Sequence, residues 1–146
     1  MNLSDRLEDF RKSLNDELKE TKLLLPLSDK QIKDCLMEQI EIEVIWQDVV
    51  ADASDLYYEA EHNAETIFSR KFNEANKNAQ AILTASELKH EANADVDYSE
   101  AKKLQNKAYG LKKRAEGMLK TVETRKYILK DMSALIINGT ERFELR

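Results

Sequence analysis

The sequence predicts an all-α protein in which long amphipathic helices form a coiled-coil-like helical hairpin that oligomerises. Residues that break helices are scarce, because the 146 residues include three glycines and one proline, and none lies between Pro26 and Gly110. Sheet folds need frequent turns and are therefore disfavoured. Apolar residues recur at steps of three and four, as on one face of a helix. The purely aliphatic runs are short, such as residues 23–25 and 134–137, far below the ~20 residues of a transmembrane helix, so no membrane contact is predicted.

The first helix is predicted within an N-terminal segment, residues 1–25, separate from a hairpin over residues 26–146. Ser4 is the expected N-cap, and Pro26 is expected to stop the helix. The apolar face of this helix contains Leu7, Phe10, Leu14 and Leu18.

A long arm is predicted from about residue 29 to residue 83. Ser28 and Gln31 have the spacing of a capping box, which marks its start. Its predicted seam runs through Ile32, Leu36, Ile40, Val44, Val50, Ala53, Tyr57, Ala60, Ala64, Ile67, Phe68, Phe72, Ala75, Ala79 and Leu83.

Two further capping-box spacings follow, at Thr84 with Glu87 and at Asp97 with Glu100. They predict a short helical connection over about 85–97 and a final helix over about 98–138, followed by a short tail. Asn138 and Gly139 are expected to end this helix. Its predicted seam contains Leu104, Ala108, Leu111, Ala115, Met118, Val122, Leu129, Met132 and Ile136, with Arg125 at a position where an apolar residue is expected.

These seams are narrow and rich in alanine, so two helices alone would leave apolar edges exposed. A homo-oligomer is therefore expected.

The charge changes sign along the chain. Residues 1–50 hold 12 acids and 7 bases, residues 51–100 hold 11 and 4, and residues 101–146 hold 5 and 12. The final helix is thus strongly basic inside an acidic protein of net charge −5. Two interpretations remain open: a site for a polyanion, or pairing between acidic and basic regions of the protein's own subunits.

Composition and motifs predict a protein that is not an enzyme. The chain contains no Gly-rich phosphate loop, zinc spacing or Gly-x-Ser-x-Gly elbow, so no catalytic residue, metal or cofactor is predicted. The single Cys35 cannot form an internal disulfide, which fits a reducing cytoplasm. One metal hypothesis stays open: Glu59 with His62 and Glu87 with His90 repeat the Glu-x-x-His motif of di-iron bundles. Such a bundle also needs a bridging Glu from each of two further helices, and a predicted helix break separates the two motifs.

The order of features resembles the bacteriophage recombination mediators of the UvsY type. The likeness rests on the sequence at residues 56–58, Leu-Tyr-Tyr, on the end of the long arm at residues 82–86, and on the final helix with Arg125 and its ending at residues 131–134. It covers about the C-terminal two thirds. The resemblance implies a ring or other homo-oligomer that contacts single-stranded DNA, a RecA-like recombinase and a single-strand-binding protein in the host cytoplasm.

The chain departs from that resemblance just before the tyrosine pair, where Asp52, Ser54 and Asp55 replace the expected basic DNA contacts. The predicted DNA site therefore lies on the final helix, with Tyr57 and Tyr58 available on the facing arm. Phosphate contacts are expected from Lys102, Lys103, Lys107, Lys112, Lys113, Arg114, Lys120, Lys126 and Lys130, and base stacking from Tyr109 and Tyr127. The alternative is a coiled-coil scaffold or assembly adaptor that binds no nucleic acid.

Overall fold

The computed structural model describes residues 1–27, 31–79 and 82–137, and every regular element within them is a helix. This confirms the all-α prediction. The four helices of the described residues are α1 (Leu3–Leu24), α2 (Ile32–Asn78), α3 (Ala85–Ala94) and α4 (Val96–Ile137). The predicted caps at Ser28, Asn138 and Gly139 and the predicted tail lie outside the described residues.

The chain divides into two compact units. The boundary between them cuts through three helices, so α1, α2 and α4 each contribute to both units. Unit 1 contains Met1–Asp9 and Ala53–Lys112, and so includes all of α3. Unit 2 contains Phe10–Asp52 and the chain from Lys113 onward.

Two helix starts differ from the sequence prediction. The side chain of Asn2 accepts the backbone N–H of Asp5 at 2.9 Å, so α1 is capped at Asn2 and Ser4 lies inside the helix. At α4, the Asp95 carboxylate accepts the backbone N–H groups of Asp97 and Tyr98 at 2.8 and 3.2 Å. Both predictions chose a residue two positions late, since Asn and Asp cap helices as well as Ser does.

The predicted capping box at the start of α3 is confirmed. Thr84 Oγ1 accepts the backbone N–H of Glu87, and the Glu87 carboxylate accepts the backbone N–H of Thr84 at 2.7 Å. These hydrogen bonds, first from the Thr84 backbone and then from its hydroxyl, lower the pKa of Glu87 below its ordinary value. The box fixes where α3 begins, and Asp95 both ends α3 and starts α4.

The predicted seam of α2 is wrong in its first half. Ile32 is buried as predicted, but Leu36, Ile40 and Val44 are exposed, and the residues buried after Ile32 are instead Cys35, Gln39, Ile42 and Trp46. The prediction followed aliphatic residues at steps of four, which drift around a helix away from a fixed neighbour. The buried set alternates steps of three and four, which keeps one face towards the same partner helix.

The predicted seam of α4 is confirmed over most of its length. The buried positions follow one unbroken alternation of three and four, namely Ala108, Leu111, Ala115, Met118, Val122, Arg125 and Leu129. Arg125 is thus a core residue with 5% exposure.

The core of unit 2 contains large buried side chains and hydrogen-bonded polar groups. Trp46 is completely buried, and its indole N–H donates to Thr21 Oγ1 at 2.8 Å. The amide of Gln39 donates to the carbonyl of Val122 at 2.8 Å. Each of these groups needs its partner because a buried polar group without one is costly.

The Arg125 side chain donates an extensive set of hydrogen bonds in unit 2. Its guanidinium has five N–H groups and five acceptors within 3.4 Å, so its donor capacity is used in full. The acceptors are the carbonyls of Leu24, Leu25 and Cys35, the amide oxygen of Gln39 and the carboxylate of Glu38. Because the last carbonyls of a helix have no partner within it, Arg125 caps the C-terminal end of α1.

The core of unit 1 consists largely of small residues. Its buried positions include Ala53, Ala60, Ala64, Ala101 and Ala108. Alanine lets helix axes approach closely, so the longer side chains beside this seam meet across it. In unit 1 α2 and α4 run antiparallel, because Tyr57 contacts Tyr109 and Phe68, further along α2, contacts the earlier Tyr98.

Replacing Arg125 by alanine is expected to lower the free energy of unfolding by about 3 kcal/mol, because buried carbonyls and the Glu38 carboxylate lose their donors. Urea unfolding followed by far-ultraviolet circular dichroism measures this change. The matched control is Lys120→Ala on the same helix, where an exposed side chain is expected to change the stability by less than about 0.5 kcal/mol. Equal unfolding midpoints for the two variants would show that the buried guanidinium does not stabilise unit 2.

Candidate nucleic-acid interface

The basic residues of α4 lie on different sides of the helix, and their partners differ accordingly. In unit 1, Lys107 on one side of the seam forms an ion pair with Glu8 of α1 at 3.2 Å, while Lys112 on the other side faces tyrosines of α2. In unit 2, Arg114 donates to Asn15 of α1 at 2.6 Å and Lys126 pairs with Glu43 of α2 at 2.8 Å. In each unit, therefore, one basic residue of α4 contacts α1 and another contacts α2.

Three tyrosines and a lysine form a surface cluster in unit 1, which we call the tyrosine–lysine cluster: Tyr57, Tyr58, Tyr109 and Lys112. The ring centroid of Tyr57 lies 5.6 Å from that of Tyr58 and 5.7 Å from that of Tyr109, both at tilted angles. The ammonium group of Lys112 lies 5.0 Å from the centre of the Tyr57 ring and 5.2 Å from that of Tyr58. These are distances at which a cation is attracted to an aromatic face.

The cluster is open to solvent. Tyr58 is 57% and Tyr109 48% exposed, and the Tyr57 hydroxyl donates to the Glu61 carboxylate at 3.3 Å. Tyr57, half-buried, thus lies at the centre of the cluster, and the two outer rings are each about half exposed. Chemically, the arrangement offers flat apolar surfaces next to one positive charge.

Several lysines predicted to contact phosphate are paired with carboxylates of the same chain. Lys103 pairs with Glu100 and Lys113 with Glu116, each three residues away on α4, in addition to the two pairs described above. The Lys126 pair is the shortest of the four, and its hydrogen bond to Glu43 raises the pKa of Lys126 above its ordinary value. Lys102 donates to the side-chain oxygen of Gln105 at 3.0 Å. These pairs reduce the positive charge that is available to an outside anion.

Lys120 and Lys130 differ from these residues. Both side chains are exposed, and neither forms a salt bridge with any residue in the described ranges. Tyr127 is also exposed, at 62%, and the Lys126 ammonium group lies 5.9 Å from its ring centre. Of the two predicted stacking residues, only Tyr109 therefore belongs to a cluster of aromatic rings.

Sequence reasoning placed Tyr57 and Tyr58 on the facing arm but not in the predicted site. It also missed the pair formed by Phe68 and Tyr98, whose ring centroids lie 5.2 Å apart in unit 1. The available signal was the recurrence of aromatic residues on α2 beside an alanine seam. Which rings meet depends on the register of α2 against α4, and periodicity within one helix does not give that register.

The Glu-x-x-His motifs do not converge in the described part of the chain. His62 and His90 are exposed, and no group of three or more metal-binding side chains among the described residues is placed to hold an ion. None of the described helices is both long enough and apolar enough to cross a membrane.

No protein-family model, curated protein or solved structure matches this chain.

Proposed function

We propose that the protein is a non-enzymatic accessory that binds single-stranded DNA at the tyrosine–lysine cluster of unit 1. The observation that carries this proposal is the pair of half-open rings, Tyr58 and Tyr109, that flank Tyr57 with Lys112 against it. Proteins that hold single strands without reading their sequence combine aromatic stacking with positive charge along the backbone. Both components are present within this one cluster.

Stacking is expected to contribute more to affinity than charge. At least four of the nine predicted phosphate-binding bases are already in ion pairs, and each such pair would have to be broken or shared before its lysine could neutralise a phosphate. A base stacked on an aromatic side chain contributes roughly 1–3 kcal/mol. The two half-exposed rings are therefore expected to contribute more to affinity than the remaining bases.

The resemblance to phage recombination mediators extends the proposal to partners. On that basis we propose that the accessory helps to load a RecA-like recombinase onto DNA that a single-strand-binding protein covers. Cytoplasmic location belongs to the same proposal.

Tyr58→Ala and Tyr109→Ala are each expected to weaken binding of a fluorescent oligo-dT by about tenfold, because each removes one stacking surface. Fluorescence anisotropy measures the affinity. Tyr58→Phe keeps the ring and should bind within about twofold of the unmodified protein. A salt series should give a slope of about −2 in log affinity against log salt, as for about three phosphates of a single strand.

Tyr127→Ala is the matched control, since it removes an equally exposed ring that lies outside the cluster. It is expected to change the affinity by less than about twofold. If Tyr127→Ala weakens binding as much as the cluster variants do, the cluster is not the site; if oligo-dT does not bind at low salt, the protein is not a single-strand binder.

A second candidate function, the oligomeric scaffold or adaptor, is favoured by a different observation in unit 2. The outward side of α2 exposes an apolar row that consists of Leu36, Met37, Ile40 and Val44. Contiguous apolar surface of this kind is typical of a protein contact. Under this proposal a second copy of the chain covers the row, and self-association is the main function.

The double variant Met37→Gln, Ile40→Gln is expected to dissociate such an oligomer, because it places polar groups in an apolar contact. Light scattering coupled to size exclusion reports the mass. The control, Leu23→Gln with Ile137→Gln, changes two exposed apolar residues outside the row and should leave the mass unchanged. An unchanged mass in both double variants would mean that the row does not hold copies together.

A further inference from the structure

A groove in unit 1 lies beside the tyrosine–lysine cluster and has the opposite charge. It has a volume of about 560 Å³, and its lining includes the aromatic pair Phe68 and Tyr98. The carboxylates of Glu61 and Glu65, one turn apart on α2, belong to the same lining. We call it the acidic groove.

The surroundings of the acidic groove are negative. From Asp55 to Glu65, within unit 1, α2 carries four acids and no lysine or arginine. Of these acids in unit 1, Glu59 is the one that forms an ion pair with a cation among the described residues. Its partner is Arg6, at 2.6 Å. Among the described residues of the lining, Lys102 is the one cation, and its ammonium group is hydrogen-bonded to Gln105.

Two carboxylates that line the same groove as an aromatic pair attract one class of group, a cation with a flat or apolar stem. The negative face of an aromatic ring and a carboxylate each favour positive charge, and both oppose a phosphate. An arginine side chain fits best, because its planar guanidinium stacks on a ring while its N–H groups bind carboxylates in pairs.

We propose that the acidic groove receives an arginine side chain from a basic peptide segment of a protein partner. The arginine stem packs along Phe68 and Tyr98, and the guanidinium donates to Glu61 and Glu65. DNA is excluded from this groove by its charge, so the inference does not rest on the proposed function. Because Glu61 also accepts the Tyr57 hydroxyl, the two surfaces share a border, and the test must separate them.

The test measures the affinity of a fluorescein-labelled peptide of alternating arginine and glycine by anisotropy. The double variant Glu61→Gln, Glu65→Gln keeps the shape of both side chains and removes their charge, and it is expected to weaken peptide binding by about tenfold. The control, Glu20→Gln with Glu41→Gln, changes the net charge equally at exposed sites of unit 2 and should stay within about twofold. Phe68→Leu, which keeps an apolar side chain, is expected to weaken binding about threefold.

The same variants are measured with oligo-dT, whose binding at the tyrosine–lysine cluster is expected to be unchanged or tighter after Glu61→Gln, Glu65→Gln. This separates the two proposals, since loss of peptide binding alone supports the groove and says nothing against DNA binding. Equal weakening of peptide binding by both glutamine double variants means attraction by net charge only and overturns the inference. Full peptide affinity in Phe68→Leu and in the groove double variant, or no binding of the peptide to the unmodified protein at low salt, also overturns it.

Discussion

A single buried charge, the guanidinium of Arg125, sets the arrangement of helices in unit 2. Arg125 lies at a core position of α4, where the spacing of buried residues at steps of three and four predicts an apolar side chain. Burying a cation is unfavourable unless its N–H donors are satisfied. The acceptors of the Arg125 guanidinium are carbonyls at the end of α1, a backbone carbonyl of α2 and two side chains of α2. Any shift of α1 or α2 along α4 would leave some of these donors without acceptors. The polar core thereby specifies one register of α1 and α2 against α4 in unit 2.

The alanine-rich seam of unit 1 explains where its aromatic side chains lie. Small core residues bring helices close together in unit 1, so long side chains beside the seam cannot be buried and instead cover it. On α2 and α4 these side chains are largely aromatic, with lysine at one place and glutamate at the next. An aromatic surface therefore acquires opposite charges at neighbouring places, positive at the tyrosine–lysine cluster and negative at the acidic groove.

Much of the fold follows from the sequence, because its main signal is local. The absence of glycine and proline between Pro26 and Gly110 and the regular apolar repeat of α4 are enough to predict long helices and to place Arg125 in the core. The capping box at Thr84 and Glu87 is likewise a contact between near neighbours. The first half of α2 was assigned incorrectly because its buried face includes Gln39 and Cys35, which hydropathy ranks below Leu36 and Ile40. Only the partner helix decides between the two faces, since Gln39 is buried by its hydrogen bonds to α4.

The candidate site was less predictable for the same reason. Counting bases identifies α4 as positive, but the ion pairs of Lys107 and Lys126 join residues 99 and 83 positions apart in the chain. The meeting of Tyr109 with Tyr57 also depends on such a distant contact. Helix spacing gives the side on which a residue lies, while the neighbour on that side follows from tertiary register.

The central claim is that DNA bases stack on the open rings of unit 1. Ultraviolet crosslinking of oligo-dT to the unmodified protein, followed by mass spectrometry of the crosslinked peptides, tests it most directly because it reports the residue that touches the base. The account predicts crosslinks at Tyr58 and Tyr109. Crosslinks confined to Tyr127 and its neighbours on α4, with none at the two cluster rings, would contradict it.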